Sequence, residues 1–316
     1  MRIREEALAV RLSNELLMFS QDHHRLPGIE NRAFKAALVE QLIESIRRVR
    51  YIAVIDTRPL CAGRQEPTSD MFDPIKAATL RKRENRFDEA CWLVFLFVHF
   101  GKHHRTGWRL VRDIYGGLGA QSWDWITTSS NLQAFRNWLS SHQLTLMGRD
   151  GVSRHFGNHR KYESLDATSP QGTGAVVESY VQWVMNSGTH QSLFQESQHR
   201  TGGDARKAFS DLYGSMNAVT RFGRTARFDY LTMIGKLGLA TIEPGSAFLV
   251  GATGPLRGAR LLFGGSTTAN INARNLDTRL VELDSLLSLG AYGMQVLEDA
   301  LCNWQKRPDQ FQAFRG

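Results

Sequence analysis

The chain has 316 residues, 42% of them hydrophobic, which supports a packed core and excludes a wholly disordered polymer. Its 39 lysines and arginines against 31 acidic residues leave a formal charge of +8, which favours polyanionic partners without naming one. The three cysteines, Cys61, Cys91 and Cys302, are scattered, and no CxxC pair exists, which excludes a disulfide framework, a zinc ribbon and a four-cysteine cluster.

The N-terminal run MRIREEALAVRLSNELL is amphipathic and of mixed charge, unlike a signal peptide. The longest apolar stretch, Ala90 to Phe100, is too short to span a bilayer. A soluble, cytoplasmic protein of a reducing compartment, with no membrane partner, is therefore expected. Apolar residues recur at three- and four-residue spacing over 3–20 and 33–50, which predicts two amphipathic helices with a loop at His23–Gly28 between them. The Pro-, Gly- and Ser-rich segment DTRPLCAGRQEPTSDMFDP reads as a linker. Two helices are predicted from Phe87 to about Tyr115, broken near Gly101, followed by helices over 130–146 and 174–186. Two more are predicted between Ala205 and Leu237, and the last two over 276–289 and 291–305. Little alternates with period two, so an all-α architecture is expected.

The segment Val250–Phe263 holds two glycines three apart, Gly251 and Gly254, ahead of a run suited to a helix start. Glycine lets backbone approach a ligand, and free N–H groups at a helix N-terminus attract phosphate. Gly251, Thr253, Gly254, Arg257 and Arg260 are therefore candidates for gripping a nucleic-acid backbone, against the plain alternative of a helix corner. Basic residues interleave with aromatics at His99, Lys102, His103, His104 and Arg105, and again at Arg160 and Lys161, a pattern suited to phosphates. His99/His103 and His155/His159 have metal-ligand spacing, but glycine interrupts both intervals and no HExxH or cysteine partner accompanies them, so no metal and no cofactor is expected.

The hairpin-like turn, an aspartate 23 residues after Gly254, the apolar helix around Ala90–His99 and the turn at 156–163 resemble, in this order, the helix-hairpin-helix DNA glycosylases. More closely, DEACW at 88–92, FGNHRKYESL at 156–165, FGRTARFDYLTM at 222–233, GATGPLRGARLL at 251–262 and EDALCNWQK at 298–306 resemble the alpha-glutamyl/putrescinyl thymine pyrophosphorylase family, clade 3. That family's name reflects thymine hypermodification in phage DNA, and related bacterial proteins excise glucosylated bases in anti-phage defence. The resemblance implies a two-lobed helix-hairpin-helix glycosylase-like fold with an N-terminal helical extension. The expected divisions are 1–84 (extension and linker), 85–290 (core, hairpin at 250–263) and 291–316 (a C-terminal helix packing back). The implied activity is excision of a bulky hypermodified pyrimidine from double-stranded phage DNA. The alternatives are replacement of pyrophosphate on an activated hydroxymethyl-uracil by an amine or amino acid, and a non-catalytic reader of modified DNA.

Base excision needs a carboxylate near the anomeric carbon. Asp277 matches the superfamily aspartate by position, with a helix N-cap as its structural alternative; Asp229 is the rival, with ion pairing to Arg224 or Arg227 as its alternative. Both arginines are also candidates for DNA contact. Pro255-Leu256-Arg257 stands where some glycosylases carry a Schiff-base lysine, which points to a water-using enzyme. An extruded base needs stacking and polar partners. Trp92, His159, Tyr162, Phe228 and Tyr230 are candidates for the first role, and Glu89, Asn158 and Glu163 for the second, although Trp92 and Phe228 suit a core as well.

Overall fold

The computed structural model describes residues 3–313, with the side chains of Ile3, Arg4 and Asn158 left out of the description. Among the described residues every regular element is helical, and the fold is all-α. No helix among them is long and apolar enough to cross a membrane. The chain divides into two compact units: one takes in the chain up to Ala53 and from Glu243 on, the other runs from Val54 to Ile242.

The first unit is built from α1 (Ile3–Asp22), most of α2 (Arg32–Thr57), α12 (Gly254–Gly264), α13 (Ala273–Leu287) and α14 (Gly293–Trp304). Leu12, Leu16 and Phe19 of α1 lie four or three apart, so they form one face, and they join Leu42, Leu280, Leu297 and Trp304 in a closed apolar core. Small residues set its tightest contacts. A Cβ on Gly258 would stand 2.3 Å from the Leu301 carbonyl oxygen, and one on Gly254 would stand 2.6 Å from Cys302 Sγ. The two glycines, one turn apart, let α12 lie directly on α14. Gly28 also meets α12 closely: a Cβ there would stand 2.3 Å from the Leu261 carbonyl oxygen.

The second unit holds the remaining helices: α3 (Pro74–Arg83), α4 (Phe87–Phe100), α5 (Arg109–Tyr115), α6 (Trp125–Ser130), α7 (Leu132–Leu146), α8 (Thr173–Met185), α9 (His190–Arg200), α10 (Ala205–Ser215) and α11 (Arg224–Lys236). Helix α4 is its axle, buried almost all round and packed by α3, α11, α9, α5 and α6. That is the expected fate of a helix with apolar residues on every face. Its rings stack inward: Phe95 lies 3.8 Å from Tyr180 and 5.2 Å from Trp92, centroid to centroid.

Three helices, α3, α6 and α9, lie where the sequence predicted none. Helix α3 begins inside the segment read as linker, because Asp73 accepts hydrogen bonds from the N–H groups of Ile75 and Lys76, and Pro74 sits at the first position, where its missing donor costs nothing. Helix α9 (HQSLFQESQHR) has little apolar periodicity and is started by the Thr189 hydroxyl, which accepts from Ser192 N. The segment predicted as one helix over 130–146 is preceded by α6, with Asn131 as the break and the cap of α7.

Candidate functional site

Helix α4 ends at Gly101, which adopts φ +67°, a left-handed conformation open to glycine. Gly157 lies against it: a Cβ there would stand 2.8 Å from both the Gly101 carbonyl carbon and Lys102 N, and Gly157 N donates to Phe100 O at 2.8 Å. Two loops thus meet backbone to backbone. The first is a hairpin closed by reciprocal bonds between His103 and Gly107 (3.1 and 2.8 Å), with Thr106 N donating to His103 Nδ1 at 3.2 Å. Acceptance at Nδ1 leaves the His103 proton on Nε2, and burial with neighbouring cations lowers this imidazole's pKa, so it stays neutral. His104 and Arg105 are exposed at the tip, Lys102 at the base. The second loop, 154–163, is stapled by Arg154, which is buried and bonds Asp113, Asp150 and the Thr145 carbonyl. His155 rests 4.8 Å from His103, ring to ring.

Two recesses open beside this pair of loops. One, about 470 Å³, has an apolar wall of Leu110, Met147, Phe156 and Leu165, and a polar rim of Gln143, Glu163, His155 and Lys161. The other, about 430 Å³, is lined by Arg64, Lys76, Lys102, Arg109 and Arg112, by Trp108, and by the carboxylates Asp70 and Asp73. Arg112 pairs with Asp70 at 2.5 Å and Lys76 with Asp73 at 3.5 Å, which leaves this cavity with a surplus of cations.

The segment that rims the first recess also reaches a carboxylate. Arg160 is almost wholly enclosed, donates from Nε to Val98 O at 2.7 Å, and holds an Nη2 3.8 Å from Asp229 Oδ2. Asp229, on α11, keeps 43% of its side-chain surface open to water, yet is densely surrounded by protein. Crowding raises its carboxyl above the usual range, against the pull of Arg160, Arg224 and Lys236. An accessible carboxyl with a raised pKa is a candidate proton acceptor.

The remaining expected residues are dispersed. Asp277 lies in the second turn of α13; the cap of that helix is Asn272, whose side chain accepts from Arg274 N. The head-of-helix position is therefore held by a neutral residue. Asp277 accepts from Ser246 Oγ (2.8 Å) and Leu249 N (3.0 Å), which ties the chain ahead of the glycine turn. That turn is entered from irregular chain rather than from a helix. Gly251 is exposed with φ +79°, Thr253 and Arg257 are exposed, and Arg260 Nε reaches Ile271 O at 3.4 Å. Gly254 packs against α14.

Several residues expected at a ligand face the interior of the second unit instead. His99 is buried, and burial drives its pKa down to about 3. Its Nε2 lies 3.1 Å from Thr173 Oγ1, whose own proton goes to Ser164 O at 2.7 Å, so His99 is the donor and is fixed as the Nε2–H tautomer. Trp92 is buried and donates to Trp123 O; Glu89 is buried and accepts from Tyr115 Oη and Trp125 N; Phe228 is buried under the Arg224 guanidinium. None of these presents a surface to DNA or to a base, because Glu89, Trp92 and His99 belong to the axle α4 and Phe228 to the buried face of α11. Arg227 is engaged by the Tyr213 carbonyl and ring and by Asn217. Glu163 is paired with Arg221 at 3.2 Å. His159 and Tyr162 are exposed; the Asn158 side chain lies outside the described residues. No group of three or more His, Cys, Asp or Glu among the described residues could hold a metal ion.

One arrangement takes Tyr230, expected to stack on a base, into the interior of the second unit. Tyr230 is buried and bonds Tyr180 (Oη to Oη, 2.9 Å), Tyr180 bonds His190 Nε2 (2.7 Å), and His190 Nδ1 bonds Asp88 (2.6 Å). Burial keeps His190 neutral, so Nδ1–H donates to Asp88 and Nε2 accepts from Tyr180. Asp88 lies next to Glu89 in the sequence, but His190 sits in the helix the periodicity did not reveal, so no local signal joins them. The chain of bonds fastens α11, and with it Asp229, to α4, α8 and α9.

No curated protein and no solved structure matches the chain. Residues 33–316 match the family described as alpha-glutamyl/putrescinyl thymine pyrophosphorylase clade 3. With nearly its whole length covered, the chain belongs to that family.

Proposed function

We propose that the chain is an enzyme acting on a hypermodified pyrimidine in double-stranded DNA, and that it excises the base to leave an abasic site, in defence against phage. The observation that carries this reading is Asp229: an accessible carboxyl of raised pKa, beside Arg160, on the segment that rims a recess larger than a bare pyrimidine requires. The family description, which speaks of modified thymine, supports the substrate class. Lys102, Arg105 and Lys161 supply backbone phosphate contacts, and the recess receives the extruded base. As the C1′–N1 bond breaks, its electron pair leaves with the base; water adds to C1′ and gives its proton to Asp229. Arg257, a guanidinium rather than a primary amine, offers no Schiff-base route.

A second reading is favoured by the family description and by the cation-rich cavity. Here an amine displaces pyrophosphate from an activated hydroxymethyl-uracil, the C–O bond to pyrophosphate breaks, and Asp229 takes the amine proton. Mass spectrometry of small products separates the two. On glucosylated hydroxymethylcytosine DNA, excision yields free modified base and abasic sites, both absent with unmodified DNA and with Asp229→Asn. Amine-dependent pyrophosphate release from pyrophosphorylated hydroxymethyl-uracil DNA, with the glycosidic bond intact, would replace excision by transfer.

A further inference from the structure

Tyr162 is 80% exposed, the most exposed of the large apolar or aromatic side chains among the described residues, on a segment that is otherwise firmly held. Arg221 Nη2 donates to the Tyr162 carbonyl at 3.2 Å and pairs with the Glu163 carboxylate. Arg160 N donates to Gly157 O and Glu163 N to Arg160 O, at 2.8 and 2.9 Å, and Gly157 is seated on the α4 terminus. The backbone is clamped while the ring stands out in water. Both sequence neighbours, Lys161 and Glu163, line the apolar-walled recess, but Tyr162 does not. The Lys161 ammonium lies over one face of the ring, 4.9 Å from its centre, which leaves the other face open and places positive charge beside it.

Resting on the reading above, we infer that Tyr162 is a wedge: on DNA binding its open face stacks in the gap vacated by the extruded nucleotide while that nucleotide occupies the recess next to it. An aromatic ring on a rigid loop gives up little conformational freedom on stacking, and any base offers it a π-face. Cations beside the ring meet the flanking phosphates. Tyr162 thereby acts on the orphaned side of the duplex, and the recess residues act on the extruded side.

A duplex carrying a tetrahydrofuran abasic analogue opposite 2-aminopurine tests this without knowledge of the modified base, since the gap is already made. The wild-type chain and Tyr162→Phe are expected to bind the gapped duplex about tenfold more tightly than the intact one and to quench 2-aminopurine by stacking. Tyr162→Ala is expected to melt at the wild-type temperature and bind intact duplex unchanged, but to lose both the preference and the quench. A Tyr162→Ala variant that keeps them overturns the wedge and leaves the DNA reading standing. A wild-type chain that binds neither duplex overturns the DNA reading, and the wedge falls with it.

Discussion

In the unit formed by the chain's two ends, glycines bring helix onto helix: Gly254 and Gly258 lie under α14, and the space a side chain would take is filled by Cys302 and by the Leu301 backbone. In the unit from Val54 to Ile242, Gly101 and Gly157 bring loop onto loop, and beside that contact the surface opens into two recesses rimmed by cations. Close backbone approach is the same physics in both places. In the first it completes a core; in the second it fixes the position of side chains that face solvent. The two aspartates follow the same division. Asp277 spends its carboxylate on Ser246 and Leu249, whereas Asp229 lies within the field of Arg160, Arg224 and Lys236 and is partly open to water.

The largest effect that can break this comparison is catalytic. Asp229→Asn is expected to lower product formation by roughly 10²–10⁴-fold with no loss of thermal stability, since the group removed is crowded when ionised. Asp277→Asn is expected to lower the melting temperature and to keep the rate per folded molecule. If Asp277→Asn kills the reaction without altering melting, the roles are reversed. Next comes packing: Gly258→Ala is expected to destabilise the first unit by about 2–4 kcal/mol, because the added carbon meets backbone. Gly251→Ala, in open space but at φ +79°, is expected to cost only about 1 kcal/mol. Denaturant midpoints of the two variants measure the difference.

The pH profile sharpens the account of Asp229. Its carboxyl titrates above the ordinary range and must be ionised to accept a proton, so activity rises with pH through that raised pKa. Arg160 favours the ionised form, so Arg160→Gln is expected to move the acid limb of the rate profile to higher pH. A limb that stays in place dissociates the arginine from the carboxylate. The smallest effects concern the hairpin: Lys102→Gln and Arg105→Gln are each expected to lower the slope of log K against log salt by about one, uniformly across DNA sequences.

Legibility in the sequence followed the range of each interaction. The helices with a clear apolar stripe, such as 33–50 and 205–237, are where periodicity predicts them, since burial of one face is written in local spacing. Helix α9 was hidden because its residues are polar, and what holds it is partly the remote Asp88–His190 bond. The basic hairpin was visible as a run of His, Lys and Arg; that His99 belongs to the core while His104 and Arg105 belong to the tip depends on where α4 ends. The glycines of 251–258 were visible as a motif, but one supplies a left-handed turn and the next two supply helix packing.

By itself the sequence determined an all-helical chain with a basic surface, its family, and a short set of carboxylates and cations from which a site is drawn. Composition, periodicity and motif identity are properties of neighbouring residues and survive without coordinates. The tertiary structure alone decided that Asp229 stands open beside Arg160, 69 positions away, while Asp277 is engaged, and that Gly101 and Gly157 lock two distant loops beside the recesses. Those facts rest on burial, on the direction of each side chain and on backbone contact between remote segments, and they exist only once the chain has folded.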